Sequence, residues 1–170
     1  MTDFKQDYPD GVIVAMDEMS LYLQATTARV WFPIGQRPIV LVNPHRDCQH
    51  WSGALGLNSG QEVALSVPEL DSPTTLHFFA HLLNVFPAQP ILLFLDRAPW
   101  HRGQAIRTFL TNNPRLELLY FPPACPHLNP QEHVWKAARR AGGHNPTFPN
   151  LAVLRQAFAA FLDAALFNFH

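Results

Sequence analysis

The chain is short of charge. Asp, Glu, Lys and Arg make up 15% of its 170 residues, and 12 basic against 13 acidic side chains leave a formal net charge of −1. A uniformly basic surface that binds nucleic acid by phosphate neutralisation alone is thereby excluded. Any such binding must come from local clusters or from another module. No apolar run reaches the length a membrane helix needs, and there is no repeat and no low-complexity tract. The start, Met1 to Pro9, is polar and acidic with no signal-peptide pattern, so a cytoplasmic placement is expected. Only two cysteines occur, and without a secretory signal Cys48 and Cys125 read as reduced, buried thiols. Each stands two residues before a histidine (His50, His127). A Cys₂His₂ zinc site is the alternative, against which the C-x-H spacing counts.

What is present in quantity is apolar surface and proline. Hydrophobic residues account for 48% of the chain, enough for one real core, and residues 1–170 are expected to form one domain. Sixteen prolines are too many for a helical bundle. Strands are expected over 11–17, 28–33, 38–42, 50–57, 63–67, 91–95 and 116–121, with hairpin chemistry at Pro33-Ile34-Gly35-Gln36. Gly53 and Gly56 weaken the fourth of these. Apolar residues at helical spacing predict a helix through 76–86 capped by Ser72 or Thr74. Further helices are expected over 101–111, from the cap Asn129 with Pro130 to about Arg140, and from the cap Asn150 to about Phe167. Early hairpins followed by strand–helix–strand over 91–121 imply a mixed sheet with helices packed on it.

Three carboxylates follow apolar, strand-like runs: Asp17 after Val12 to Met16, Asp96 after Ile91 to Leu95, and Glu132 after the segment from Leu118 to Pro130. Brought together, they would repel one another unless a cation lay between them. Carboxylate oxygens are hard ligands suited to Mg²⁺ or Mn²⁺, and two such ions can flank a phosphodiester in an in-line displacement.

The blocks around these residues carry a resemblance. Asp17-Glu18, Trp31-Phe32-Pro33-Ile34-Gly35, Leu95-Asp96-Arg97-Ala98-Pro99-Trp100-His101, and the run Pro122 to Trp135 with its Leu128-Asn129-Pro130-Gln131-Glu132 resemble DDE-type transposase catalytic domains of the mariner-like superfamily, in the bacterial insertion-sequence branch. The last block is the most specific, and together they cover residues 11 to about 140. The resemblance implies a ribonuclease-H-like α/β fold, a mixed five-stranded sheet flanked by helices. It also implies a metal-dependent endonuclease and strand transferase acting on transposon ends and target DNA. Asp17 would bridge two Mg²⁺ or Mn²⁺ ions, Asp96 hold one and Glu132 the other. Family members carry Asn where Arg97 stands, and helix-turn-helix modules that are not found here. A helix-turn-helix partner polypeptide or fused upstream frame is expected, together with a homo-oligomer working at the bacterial nucleoid.

Other residues admit two roles each. Glu132 can serve as ligand or as a capping-box partner of Asn129. Glu18, if its strand continues, points away from Asp17, which favours a salt bridge or a surface role over catalysis. His101 can support the carboxylates, touch a phosphate, or cap a helix. Arg97 can meet a DNA phosphate or pair with an acid, and Asn129 organises its loop. Lys136, Arg139 and Arg140 line a DNA path or form a solvated face. Trp31, Trp51 and Trp135 read as structural, while Trp100 packs or stacks on a base. Competing functions are a purely hydrolytic nuclease or resolvase of the same fold, and an inactive remnant that only binds or oligomerises.

Overall fold

The structure is a computed structural model and describes residues 2–23, 33–35, 47–123, 125–143 and 148–167. Five strands form one sheet, β1 (Val12–Tyr22), β2 (Cys48–Gly56), β3 (Glu62–Val67), β4 (Ile91–Leu95) and β5 (Leu116–Tyr120), in the order β3-β2-β1-β4-β5. β1–β2 and β2–β3 are antiparallel, whereas β1–β4 and β4–β5 are parallel. The helices are α1 (Thr2–Asp7), α2 (Ser72–Val85), α3 (Gln104–Asn112), α4 (Gln131–Gly143) and α5 (Leu151–Ala164). This is the mixed five-stranded sheet flanked by helices that the sequence led us to expect. Among the described residues no helix is long and apolar enough to cross a membrane.

Strand periodicity sorts the core onto two faces. Val14 and Met16 of β1 join Ala54, Val63, Leu93 and Leu95 beneath Phe78, Phe79 and Leu82 of α2 and Ile106 of α3. On the opposite face Met19, Leu21, Trp51 and Leu55 pack against Val134, Trp135 and Ala138 of α4 and Leu154, Phe158 and Leu162 of α5. Alternation of side chains along a strand forces this division. Trp51 and Trp135 are both core residues, each stacked or tilted against Phe158.

Several element boundaries differ from expectation. β1 does not stop at Asp17 but continues to Tyr22, because Asp17 to Tyr22 find antiparallel partners in Gly53 to Cys48. β2 survives its two glycines because both its neighbours supply ladder partners. α2 is capped by Asp71, not Ser72 or Thr74; its backbone is extended and its carboxylate accepts from the Thr74 amide at 2.8 Å. A cap of this kind is worth about 1 kcal/mol. Asp71→Ala is therefore expected to lower the melting temperature by about 2–4 °C, measured by a thermal scan. α3 begins at Gln104 rather than His101; a 3₁₀ turn, Pro99–His101, comes first, and Gly103 at φ 120° separates the two. α1 was not expected, and α5 ends at Ala164. The expected strands 28–33 and 38–42 lie outside the described residues apart from Pro33, which is not in a strand, as does Trp31. The expected turn at Ile34-Gly35 is present, with Gly35 at φ 86°.

Candidate active site

The parallel register aligns Val12 with Ile91 and Ala15 with Phe94. Continued by two residues, it brings Asp17 level with Asp96, just where β4 ends and β1 runs on. Two acidic side chains thus line one cleft where β4 stops beside the longer β1. Asp17 pairs across the antiparallel ladder with Gly53, so its side chain lies on the face that α4 covers.

α4 comes in at that point because its start is pinned to the sheet. The Asn129 side chain is buried; its Nδ2 donates to the Met16 carbonyl at 2.9 Å, and its Oδ1 accepts from the Gln131 amide at 3.1 Å. One side chain thereby ties the helix start to the residue before Asp17 and caps the helix. Glu132 falls in the first turn. Asp17, Asp96 and Glu132 all line one cleft of about 450 Å³, with Arg97, Phe121, Pro122, Cys125, Pro126 and Asn129.

The electrostatics are those of crowded acids. Burial raises the Asp17 carboxyl to about 7, and the negative fields of Glu132, Glu18 and Asp96 add to the effect. Asp96 is more exposed and behaves oppositely; the hydrogen bond from His101 chiefly holds its carboxyl below the usual range. His101 is 1% exposed and uses both ring nitrogens, Nδ1 on Asp96 Oδ1 at 2.8 Å and Nε2 on Glu18 Oε1 at 2.7 Å. Burial alone opposes the imidazolium, but the two carboxylates outweigh it and push His101 up to about 9. Glu18 is thus turned away from Asp17, as strand alternation requires, and is engaged in an ion pair.

Among the described residues no three His, Cys, Asp or Glu side chains stand close enough to hold one ion. The donor set nevertheless fits a hard divalent cation: carboxylate oxygens on the walls of one cleft, one of them with its pKa raised by burial and like charge, a condition a cation relieves. The three carboxylates share the cleft without being drawn into one ligating group.

The remaining expected residues divide. Arg97 reaches the cleft and donates through Nε to the Phe121 carbonyl at 3.3 Å. Lys136, Arg139 and Arg140 lie further along α4 and are not among the cleft's lining residues. Trp100 sits in the 3₁₀ turn with its indole nitrogen buried. Both cysteines are free; Cys125 lines the cleft, and Cys48 begins β2, its thiol 3.9 Å from His50 Nε2. Sequence reading passes over Glu62 and Gln131, which make a part-buried polar contact beneath the start of α4. Only the position of Gln131, beside Glu132 at a helix start, could have drawn attention to it.

A sheet of this order, with acids from β1, the end of β4 and the start of α4 facing one cleft, defines the ribonuclease-H-like class of folds. The chain belongs to the DDE superfamily endonuclease family, whose model matches residues 12–155. It is similar to the insertion element IS630 uncharacterized 39 kDa protein of Shigella sonnei, with 23% identity over 122 residues covering 71% of this chain and 36% of that protein. It is also similar to the uncharacterized protein y4pE/y4sA of Sinorhizobium fredii, with 30% identity over 88 residues covering 51% of this chain and 62% of that one. The chain thus spans less than two thirds of the length of either relative. Among solved structures, the Mos1 transposase paired-end complex with left transposon end gives a TM-score of 0.72 at 15% identity, covering 96% of this chain and 51% of that one. The catalytic domain of Mos1 mariner transposase gives 0.62 at 15% identity, covering 96% and 76%. At such identities the likeness is one of fold.

Proposed function

We propose that this chain is the catalytic domain of a transposase that cuts DNA strands at transposon ends and joins them to target DNA. The observation that carries the reading is the shared cleft: Asp17, Asp96 and Glu132, from three separate elements, line it together. Membership of the endonuclease family supports the same reading. Asp17, Asp96 and Glu132 are the residues that would hold two Mg²⁺ or Mn²⁺ ions; the Mos1 paired-end complexes with Mn and with Mg support the use of a divalent metal. Bound there, such ions supply the Lewis acidity that activates a water or a 3′-hydroxyl and stabilises the leaving oxygen. The chain's own contribution is placement. Asn129 fixes where Glu132 enters the cleft, and His101 fixes one oxygen of Asp96. Arg97, at the cleft wall, is positioned for a phosphate of the scissile strand. Lys136, Arg139 and Arg140 extend the basic path along α4.

A near-neutral chain does not supply high DNA affinity by itself. Reading of the end sequence is therefore assigned to a helix-turn-helix polypeptide, fused upstream or separately encoded, and two copies of the catalytic domain would pair two ends at the bacterial nucleoid. The test is joining. With Mn²⁺ and a duplex whose pre-cut 3′ end carries the element's inverted repeat, the chain is expected to covalently join that end to a target duplex, read as a longer labelled strand. Hydrolysis without joining would instead mark a nuclease or resolvase, and neither product would mark a domain that only binds.

A further inference from the structure

The polar contact beneath α4 leaves one buried acceptor on each partner unpaired among the described residues. Gln131, the first residue of α4, is fully buried, and its Nε2 donates to Glu62 Oε1 at 2.7 Å. Among the described residues, the other oxygen of Glu62 and the amide oxygen of Gln131 are both buried and find no hydrogen-bond donor. Two such acceptors left bare in a core are expensive. Among the described residues Gln131 is the one side chain bonded to the Glu62 carboxyl: burial raises that carboxyl to about 8, and the Gln131 amide opposes this.

The space for this contact is made by Gly53. A Cβ at that position would meet Glu62 Oε1 at 2.5 Å and Gln131 Nε2 at 2.7 Å, besides striking Trp135. Gly53 is also the ladder partner of Asp17. The gap left by its missing side chain therefore lets the start of α4 sit against the sheet immediately beside Asp17, and Glu62 fills the rest of that gap from β3.

We propose that Glu62 is a positioning residue: as a neutral acid it pairs with the Gln131 carboxamide at two points, N–H to Oε1 and O–H to the amide oxygen, and so fixes the seat of Glu132 in the cleft. This rests on the catalytic reading of Glu132. Such an acid–amide pair is directional and leaves neither acceptor bare, which is how a polar contact under a helix holds a neighbour in one place. It complements Asn129: one anchor ties the helix start to β1, the other to β3.

The experiment compares wild type, Glu62→Gln and Glu62→Met in the full chain. Glutamine preserves a two-point amide–amide pair without a titratable proton, whereas methionine fills the volume and removes both bonds. Cleavage of a transposon-end duplex is expected to fall at least about 10-fold in kcat for Glu62→Met at unchanged KM, because Glu62 is not among the residues that line the cleft, and to stay within about 3-fold for Glu62→Gln. The infrared difference between wild type and Glu62→Gln at pH 7 is expected to show the carbonyl stretch of one neutral buried carboxylic acid. A folded Glu62→Met with wild-type kcat overturns the proposal, as does a Glu62→Gln as impaired as Glu62→Met, or the absence of the acid band. If Glu62→Met fails to fold, Glu62→Gln and the infrared band decide. If wild type itself does not cleave, the catalytic reading has failed, and the band together with a melting order of wild type near Glu62→Gln and above Glu62→Met still tests the pair.

Discussion

Asp17→Asn is expected to abolish strand cleavage, by on the order of 10³-fold or more, while making the metal-free protein more stable. The two effects have one cause. Asp17 is placed where burial and the fields of Glu132, Glu18 and Asp96 all oppose its charge, so its carboxyl is raised from 3.8 to about 7. A group whose folded pKa is raised contributes stability that is fully present below its unfolded pKa and lost as pH rises through the folded one. Asparagine does not titrate and keeps what aspartate loses. The stability gain should thus be absent near pH 4, grow with pH, and level off above pH 7. At about 1.4 kcal/mol per pKa unit its ceiling is a few kcal/mol. Asp96→Asn should abolish cleavage too, but without the gain, because its carboxyl is stabilised as an anion by His101. Thermal scans from pH 4 to 9 in chelator, beside cleavage assays, separate the two. Substantial cleavage by either variant would sink the assignment of the site.

That contrast between two acids marks where the sequence stopped being informative. The buried runs 12–16 and 91–95 were legible because an apolar stretch of that length has one economical use, and the parallel pairing of 91–95 with 116–120 follows from the helix between them. The block ending in Glu132 was legible through its resemblance to a family. What stayed hidden depends on partners far along the chain. The extension of β1 past Asp17 was not legible, since residues 17–22 open with two adjacent acids and become a strand only by pairing with β2. Glu18 was expected to find a salt bridge, but nothing local names His101, 83 residues away, as its partner. Gly53 looked like a flaw in a strand and is instead the opening that admits α4. Glu62 was invisible because a single acid at a strand start is ordinary until the helix that buries it is in place.

His101→Ala is expected to impair both stability and catalysis, and the pH dependence of the first identifies the reason. The carboxylates of Glu18 and Asp96 can each only accept, so the bonds from Nε2 and Nδ1 require both ring nitrogens to carry protons. The ring is therefore an imidazolium between two anions, with its pKa raised from 6.5 to about 9. Glu18 is 8% exposed at its side chain. Removing the cation leaves that carboxylate buried without a partner, a change that typically costs about 3–5 kcal/mol. The sign follows from the raised pKa: the stability His101 contributes is complete below 6.5 and is lost as pH rises through 9. The gap in melting temperature between wild type and His101→Ala should accordingly be widest near pH 6 and narrow towards pH 9. Glu18→Gln on the same background should close much of it by removing the stranded charge. Catalysis should respond differently. The Asp96 side chain is 57% exposed, so packing does not fix its rotamer; the bonds from His101 and from the Ala98 amide do. Loss of such an orienting partner costs roughly 10- to 100-fold in activity, and Glu18→Gln cannot restore it. A double variant that regains stability but stays slow would show that His101 holds Asp96 for chemistry as well as neutralising Glu18 for folding. One that regains both would reduce His101 to a structural counter-ion.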